Sequence, residues 1–475
     1  MMRTRMMIPL ISALLLTAAC ATNPVTGKRQ LALITEAQEI QMGAAAMQDI
    51  ERQMGFYPDA EMQAYVNRIG QQLAATSERP ELPWEFRVVD DPMINAFAVP
   101  GGKIFVTRGI MAHFNDEAEL ASVLGHEIGH VTARHSVEQM SKQQLAGLGL
   151  GLAMILSPQV AQFGDLANMG LQLMFMKFGR DDERQSDDLG LRYMTAAGWD
   201  PNSMPPVFDV IGEISRTETG GRVPEWASTH PDPENRAGRL RDQIAAMGNP
   251  QGRTNEAAFM RQLDGMMFGM NPREGYTVGS TFIHPDLQFR MNFPQGWKIQ
   301  NTRQAVVAAS PQQDALVGLT LAQGSDARQA ARAFFSQQGV QAGQEVQPNT
   351  YTFQAQTQGG GIVQGVTGFV PLGGRVFQVM GYTSPNSYNR YANTFASVSA
   401  SLQRETDPRY INVESKRIDI VEVPRDMSIA EFARNYPSTV DLQTLALANG
   451  VLREGDILRR GTLAKRIVGG RLPER

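Results

Sequence analysis

His126-Glu127-Ile128-Gly129-His130 is the stretch whose reading decides this chain. On an α-helix, residues i and i+4 lie on one face, one above the other, so two imidazoles at that spacing can grip a single metal ion. Glu127 is turned about 100° from His126. That aims its carboxylate at the space beside the ion, where an ion-bound water would sit. Two ligands and a general base on one helix suit zinc-assisted hydrolysis of a peptide bond.

The flanking residues support the helix. Asp116 and Glu119 have capping-box spacing ahead of the motif. Leu120, Leu124, Ile128 and Val131 form an apolar stripe on the side away from the imidazoles. Ser122, Gly125 and Gly129 are small and flank the metal face. A glycine costs about 1 kcal/mol in a helix interior, so two of them predict that a second backbone approaches closely. The competing reading, a surface helix with two satisfied histidines, accounts for neither the stripe nor the glycines.

A third ligand has to come from elsewhere. Val131-Thr132-Ala133-Arg134-His135 lacks the glycine of the metzincin pattern, and His135 is too near to serve as its ligand. His135 therefore reads as a helix-end or ligand-supporting group. Farther on stands Arg180-Asp181-Asp182-Glu183-Arg184-Gln185-Ser186-Asp187-Asp188, at the head of a predicted helix running to about Ala197. Glu183 and Asp187 are i and i+4 there. Glu183 can complete a His-His-Glu site, and Asp187 can accept the free N–H of a ligating imidazole. By charge pattern alone the same run reads as a solvated helix face.

His-Glu-Ile-Gly-His followed by Val-Thr-Ala-Arg-His-Ser, and then Glu183-x-x-x-Asp187 after an arginine, resembles the gluzincin peptidases related to the CAAX prenyl endopeptidases. Within that family the likeness is to the periplasmic lipoprotein branch of β-barrel assembly-enhancing proteases. Asn23-Pro24-Val25-Thr26-Gly27-Lys28, Asn95-Ala96-Phe97-Ala98-Val99-Pro100-Gly101-Gly102 and His230-Pro231 with Arg236 match further elements, so the likeness covers about residues 20–250. Ser186 departs from it, standing where the family usually has alanine.

The resemblance implies one Zn2+ held by His126, His130 and Glu183, with Asp187 behind a ligating histidine. It implies Glu127 as the base that takes a proton from water and passes it to the leaving amine. His230 or Arg236 supplies a donor to the developing oxyanion. In relatives the histidine of this element can also occupy the open zinc position and hold the enzyme latent, and the same double role is expected of His230. Read without the family, His230 caps a turn before a helix starting near Pro233.

Phe97, Ala98 and Val99, with Lys103 to Thr107, read as two short strands around Pro100-Gly101-Gly102. An edge strand beside the metal can pair with the backbone of an unfolded protein substrate, with little side-chain selectivity. The other reading is an ordinary hairpin.

The N-terminus suggests a compartment. Arg3 and Arg5 precede an apolar run from Met6 to Ala19, too short to span a bilayer and shaped like a secretion signal. Ala18 and Ala19 before Cys20 predict lipidation of Cys20 after removal of residues 1–19. Ala21 is not the aspartate that retains such proteins at the inner membrane, so a membrane contact through a lipid anchor in the outer membrane, facing the periplasm, is expected. Cys20 is the only cysteine of the chain, which leaves no disulfide to form.

A length of 475 residues allows about three domains. Net charge is −4, which speaks against a nucleic-acid partner. The chain holds 25 methionines, four of them within Gln144–Met176, which is expected to form core or lid helices around Ser157-Pro158. Pro158 and Asp165 argue against a membrane span there. Thr35 and Gln38 have capping-box spacing. Met62, Val66, Ile69 and Leu73 stripe a second helix. Trp84, Phe86 and Val88 alternate as a strand. A further helix is expected over 253–270, before a boundary at Asn271-Pro272.

The expected fold class is α+β: a mainly helical gluzincin catalytic domain with a small β-sheet (20–270), an α+β domain (278–403) and a small module (415–470). In the second domain Phe289 to Trp297 starts a strand and turn, 327–338 is a helix, and 362–370 and 375–382 alternate like neighbouring strands. This start resembles the PsbP/Mog type of lipoprotein domain, and His284 there reads as structural. In 415–470 the expected order is strand, helix, helix, strand, which resembles LysM and implies peptidoglycan as a partner. Against that stands a packing module without a ligand.

Two function classes follow. One is a zinc endopeptidase for misfolded or stalled outer-membrane proteins. The other is a chaperone or scaffold for the outer-membrane assembly machinery, with a latent metal site. An intact Glu127 favours the first.

Overall fold

A computed structural model describes residues 20–150, 173–217, 225–231, 233–357, 361–453 and 455–473. The expected signal segment 1–19 and residues 151–172 of the expected core or lid helices lie outside the described residues. Two compact units form. One comprises Met1–Gly269 with Arg417–Val468, the other Met270–Lys416 with Gly469–Arg475.

In the first unit, helix Glu36–Gln53 opens on Thr35 and Gln38, whose side chains satisfy one another's backbone N–H groups as the spacing predicts. Helix Ala60–Ala74 starts at Asp59 and buries Met62, Val66, Ile69 and Leu73. A three-stranded sheet follows, in the order Glu85–Val89, Lys103–Thr107, Ala96–Val99. The central strand runs parallel to the first and antiparallel to the last. Ala96–Val99 is therefore an edge, and Gly101 and Gly102 take the positive φ that its tight return to Lys103 requires.

Helix Glu117–Thr132 carries both imidazoles and lies against this sheet. Asp116 Oδ1 accepts from the Glu119 N–H at 2.7 Å, while the Glu119 carboxylate takes the N–H of Asn115 instead of that of Asp116. Every residue of the helix except Glu119 is buried. Leu120, Leu124, Ile128 and Val131 join one core with Val66, Phe86 and Ile104. Burying each such side chain contributes about 1.5–3 kcal/mol, far more than the two glycines cost.

Those glycines meet the close backbone that their size predicts. A Cβ at Gly125 would stand 3.1 Å from the Gly190 carbonyl oxygen, and one at Gly129 would stand 3.0 Å from the Ser186 Cα. Both partners lie on helix Arg180–Ala196, the helix of the acidic run. Helix Met204–Thr217, the short helix Glu225–Thr229 and helix Pro233–Ala246 follow.

The helix expected over 253–270 is shorter, spanning Glu256–Leu263. Asp264 turns extended and Gly265 takes φ +76, which ends it. Residues 417–468 show strand Arg417–Glu422, helices Ile429–Asn435 and Leu442–Ala448, and strand Leu463–Val468. The outer two strands pair antiparallel. The segment read as a separate module belongs to the first unit, where Ile418, Ala448 and Ile467 share the core of the imidazole-bearing helix.

The second unit holds a seven-stranded antiparallel sheet, in which Ile362–Leu372 and Arg375–Thr383 are neighbours as their alternation predicts. Helices Ala327–Phe335 and Tyr388–Ala400 pack on it. His284 Nδ1 accepts the Leu287 N–H at 3.2 Å, a structural turn contact. Among the described residues no helix is long and apolar enough to cross a membrane.

Candidate metal centre and active site

His126 and His130 project side by side from one helix, with Nε2 atoms 3.1 Å apart. The facing helix brings Glu183, whose Oε2 is 3.6 Å from His126 Nε2 and whose Oε1 is 3.4 Å from His130 Nε2. His230, just past helix Glu225–Thr229, brings Nδ1 to 3.3 Å from His126 Nε2 and 3.0 Å from Glu183 Oε1. These four residues offer donor atoms that all lie within 4.8 Å of one another.

The donor set fits zinc. Four ligands at 2.0–2.1 Å from a tetrahedral ion stand about 3.3–3.4 Å apart along each edge, and the separations above cluster around that value. His126, His130, Glu183 and His230 are each 1–2% exposed.

Glu127 lies alongside. Its Oε1 is buried without a hydrogen-bond partner and sits 3.6 Å from His230 Nε2. Burial pushes its carboxyl up to about 7, with the Glu183 charge adding and the amide of Ala98 opposing. That amide belongs to the edge strand, so Glu127 and the backbone of residues 96–99 are in direct reach of one another. Phe97, Ala98 and Val99 are all buried on this strand.

A second tier holds the ligands in place. Asp187 Oδ1 is 3.1 Å from His126 Nδ1, which commits that nitrogen to carrying the proton and leaves Nε2 free to ligate. Burial works against the Asp187 charge, but the Arg236 guanidinium and the His126 hydrogen bond hold its carboxyl well below the usual range. Arg236 donates from Nε and one terminal nitrogen to Asp187 at 3.0 and 2.6 Å, and its other terminal nitrogen is 2.7 Å from Glu183 Oε2. The structure turns the Arg236 guanidinium to the two carboxylates, Asp187 and Glu183.

His135 is on the same tier. Its Nδ1 lies 3.0 Å from His130 Nδ1, and its Nε2 lies 2.9 Å from Gln185 Oε1. With His130 ligating through Nε2, its Nδ1–H donates to His135, whose Nε2–H donates to Gln185. Ser186, the departure from the family pattern, places its hydroxyl 3.4 Å from His135 Nδ1.

The acidic run thus divides by helical face. Glu183 and Asp187 are buried, whereas Asp181, Arg184 and Asp188 are exposed. Sequence reasoning passed over Trp226 and Phe178. Trp226 stacks on His230 with ring centroids 5.0 Å apart, and Phe178 lies 4.0 Å from His130. Trp226 stands four residues before His230, a helical spacing that could have signalled it. Cys20 opens strand Cys20–Thr22, and Asn23 of the adjoining motif donates from Nδ2 to the Ala133 carbonyl at 3.0 Å, one residue past the imidazole-bearing helix.

Paired imidazoles on one helix, a glutamate from the next and an unpartnered acid beside them define a metallopeptidase site. Residues 60–244 match the model of peptidase family M48. It is 36% identical over 178 residues to "Mitochondrial metalloendopeptidase OMA1" of Arabidopsis thaliana, covering 37% of this chain and 34% of that protein. It is 29% identical over 263 residues to "Beta-barrel assembly-enhancing protease" of Yersinia pestis, covering 51% of this chain and 54% of that protein. The chain therefore spans about half or less of the length of these curated relatives. The solution structure of cyanobacterial PsbP from Synechocystis sp. PCC 6803 aligns over 27% of this chain and 94% of that one, at 14% identity and a TM-score of 0.21, too low to place a fold.

Proposed function

We propose that this chain is a zinc endopeptidase that degrades misfolded or stalled outer-membrane proteins from a lipid anchor at Cys20. One observation carries the reading: the buried, unpartnered Oε1 of Glu127 beside four converging ligand atoms. A scaffold protein has no use for a buried carboxylate oxygen left without a hydrogen bond, whereas a general base needs a free oxygen facing the reacting water. His126, His130 and Glu183 would hold the zinc, and the bound ion would lower the pKa of water to about 7 and polarise the peptide carbonyl.

The residues of the chain do the rest. Glu127 takes a proton from the water and returns it to the leaving amine. The edge strand Ala96–Val99 lines up an extended substrate by main-chain pairing. Asp187 and His135 keep the ligating imidazoles in the correct tautomer, and Arg236 fixes both buried carboxylates. His230 contributes an N–H to the carbonyl oxygen once it has left the fourth corner of the ligand cluster. The nearness of His230 Nδ1 to His126 Nε2 and Glu183 Oε1 supports a latent form in which His230 would be a fourth ligand to the ion.

The envelope role draws on the secretion-signal pattern, Cys20 and the name of the Yersinia pestis relative. The test compares wild type and Glu127→Gln, both zinc-loaded, on an unfolded outer-membrane protein. The variant should retain zinc and lose cleavage by about 10²–10⁴-fold. Equal cleavage by the two would overturn the proposal. In cells, crosslinking to the Glu127→Gln variant should trap outer-membrane proteins, and a catch of other proteins only would remove that substrate class. His230→Ala should change proteolysis, upward if the latch dominates and downward if the oxyanion donor dominates. Unchanged turnover removes His230 from the mechanism.

A further inference from the structure

Lys465 places its side-chain amine in the core of the peptidase unit. It is 0% exposed, on a strand Leu463–Val468 that also buries Ala464 and Ile467. Its Nζ donates to the carbonyls of Ala112 at 3.0 Å, Phe114 and Ala448 at 2.8 Å, and lies 3.1 Å from Asn115 Oδ1. Ala112 stands 353 positions earlier in the chain. Three of the four acceptors belong to the turn that joins helix Arg108–Met111 to the imidazole-bearing helix. That turn has backbone carbonyls no helix satisfies, and a buried carbonyl left unmade costs about 1–3 kcal/mol.

The lysine is itself rigidly mounted. Its N–H donates to Asn449 Oδ1 at 2.7 Å, and Asn449 Nδ2 returns a bond to its carbonyl at 2.9 Å. Gly450 comes so near the turn that a Cβ there would stand 3.1 Å from Asn115 Nδ2. Ile418, Ala448 and Ile467 enter the same core as Leu120 and Leu124. Downstream of the turn, Asp116 caps the helix, and about 15 Å along the helix axis stands His126. The helix is enclosed on nearly all sides, so a shift of its first turn carries the imidazoles with it.

We infer that residues 417–468 are an internal brace of the peptidase, and that Lys465 is a positioning residue which sets the imidazole pair by clamping the turn 112–115. The inference rests on the zinc-peptidase reading, and it gives the C-terminal segment a role inside the chain that needs no glycan.

Lys465→Met tests it in the full-length protein. Zinc affinity is measured by competition with a chelator, and kcat and KM are measured on an unfolded polypeptide. Zinc binding should weaken at least tenfold and kcat should fall at least tenfold, with KM within twofold and far-UV circular dichroism unchanged. A clamp that served stability alone would lower the unfolding midpoint and leave both readouts within twofold of wild type, and that result overturns the inference. Should Lys465→Met not fold, Asn115→Ala removes one acceptor and leaves three. It should weaken zinc binding about threefold, and a wild-type affinity would overturn the inference. A wild type that neither binds zinc nor cleaves would instead sink the zinc-peptidase reading.

Discussion

Gly190 and His126 meet backbone to backbone: a Cβ on Gly190 would stand 2.8 Å from the His126 amide nitrogen. The helix of the first two ligands and the helix of the third are in contact at the ligands themselves, so their spacing sets the size of the metal cavity. Gly190→Ala should force the helices apart at a cost of about 1–3 kcal/mol. Zinc affinity should fall with stability. A variant that loses stability but keeps wild-type affinity in a chelator competition would show that the two helices are not coupled through this contact.

His135 orients His130 as Asp187 orients His126. Its removal should resemble the loss of any ligand-supporting group, with zinc affinity down about 10–100-fold. His135→Ala is the variant, and metal content after dialysis against a weak chelator is the measurement. Full occupancy would place His135 outside the support of the site.

Stripping the metal leaves three imidazoles and a carboxylate crowded without a centre. The folded chain should then gain stability from zinc as the logarithm of its free concentration, by about 4 kcal/mol at a thousandfold excess over the dissociation constant. Thermal unfolding across a buffered zinc series checks this. A midpoint indifferent to zinc contradicts a folded-state site.

His113 should tie stability to pH. Burial depresses its imidazole from 6.5 to about 4, while its Nδ1 lies 2.9 Å from the Gly109 carbonyl. The folded chain thus keeps it neutral down to about pH 4, whereas the unfolded chain protonates it below 6.5. Its contribution is present above pH 6.5 and is lost as pH falls toward 4. It amounts to at most about 3 kcal/mol, less what solvent screens at its partly exposed ring. His113→Gln should flatten the fall in urea midpoint between those pH values relative to wild type. Parallel curves would assign the acid sensitivity to other groups.

Much of the site was legible because it is local. Helical period alone places His126, His130 and Glu127, and the small residues at 125 and 129 announced a neighbour without naming it. The neighbour was not legible. Gly190 sits in an acidic helix whose pattern fits a solvated face, and resemblance, not spacing, singled out Glu183. Which carboxylates Arg236 faces is a tertiary matter that its charge alone does not record. In 415–470 the order of strand, helix, helix and strand was readable from turn residues and periodicity, yet Lys465 looks like any strand lysine facing water.

The chain by itself determined which side chains share a helical face, where helices start, and that a base stands beside a pair of metal ligands, because these depend on bonds and periods spanning a few residues. Only the tertiary structure decided that Glu183 and His230 close the cluster, that two glycine-bearing helices set its width, and that the last segment of the chain braces the turn before it. Those relations join residues up to 353 positions apart. They are chosen by the burial of apolar surface and the need to satisfy every buried polar group, which no local pattern records.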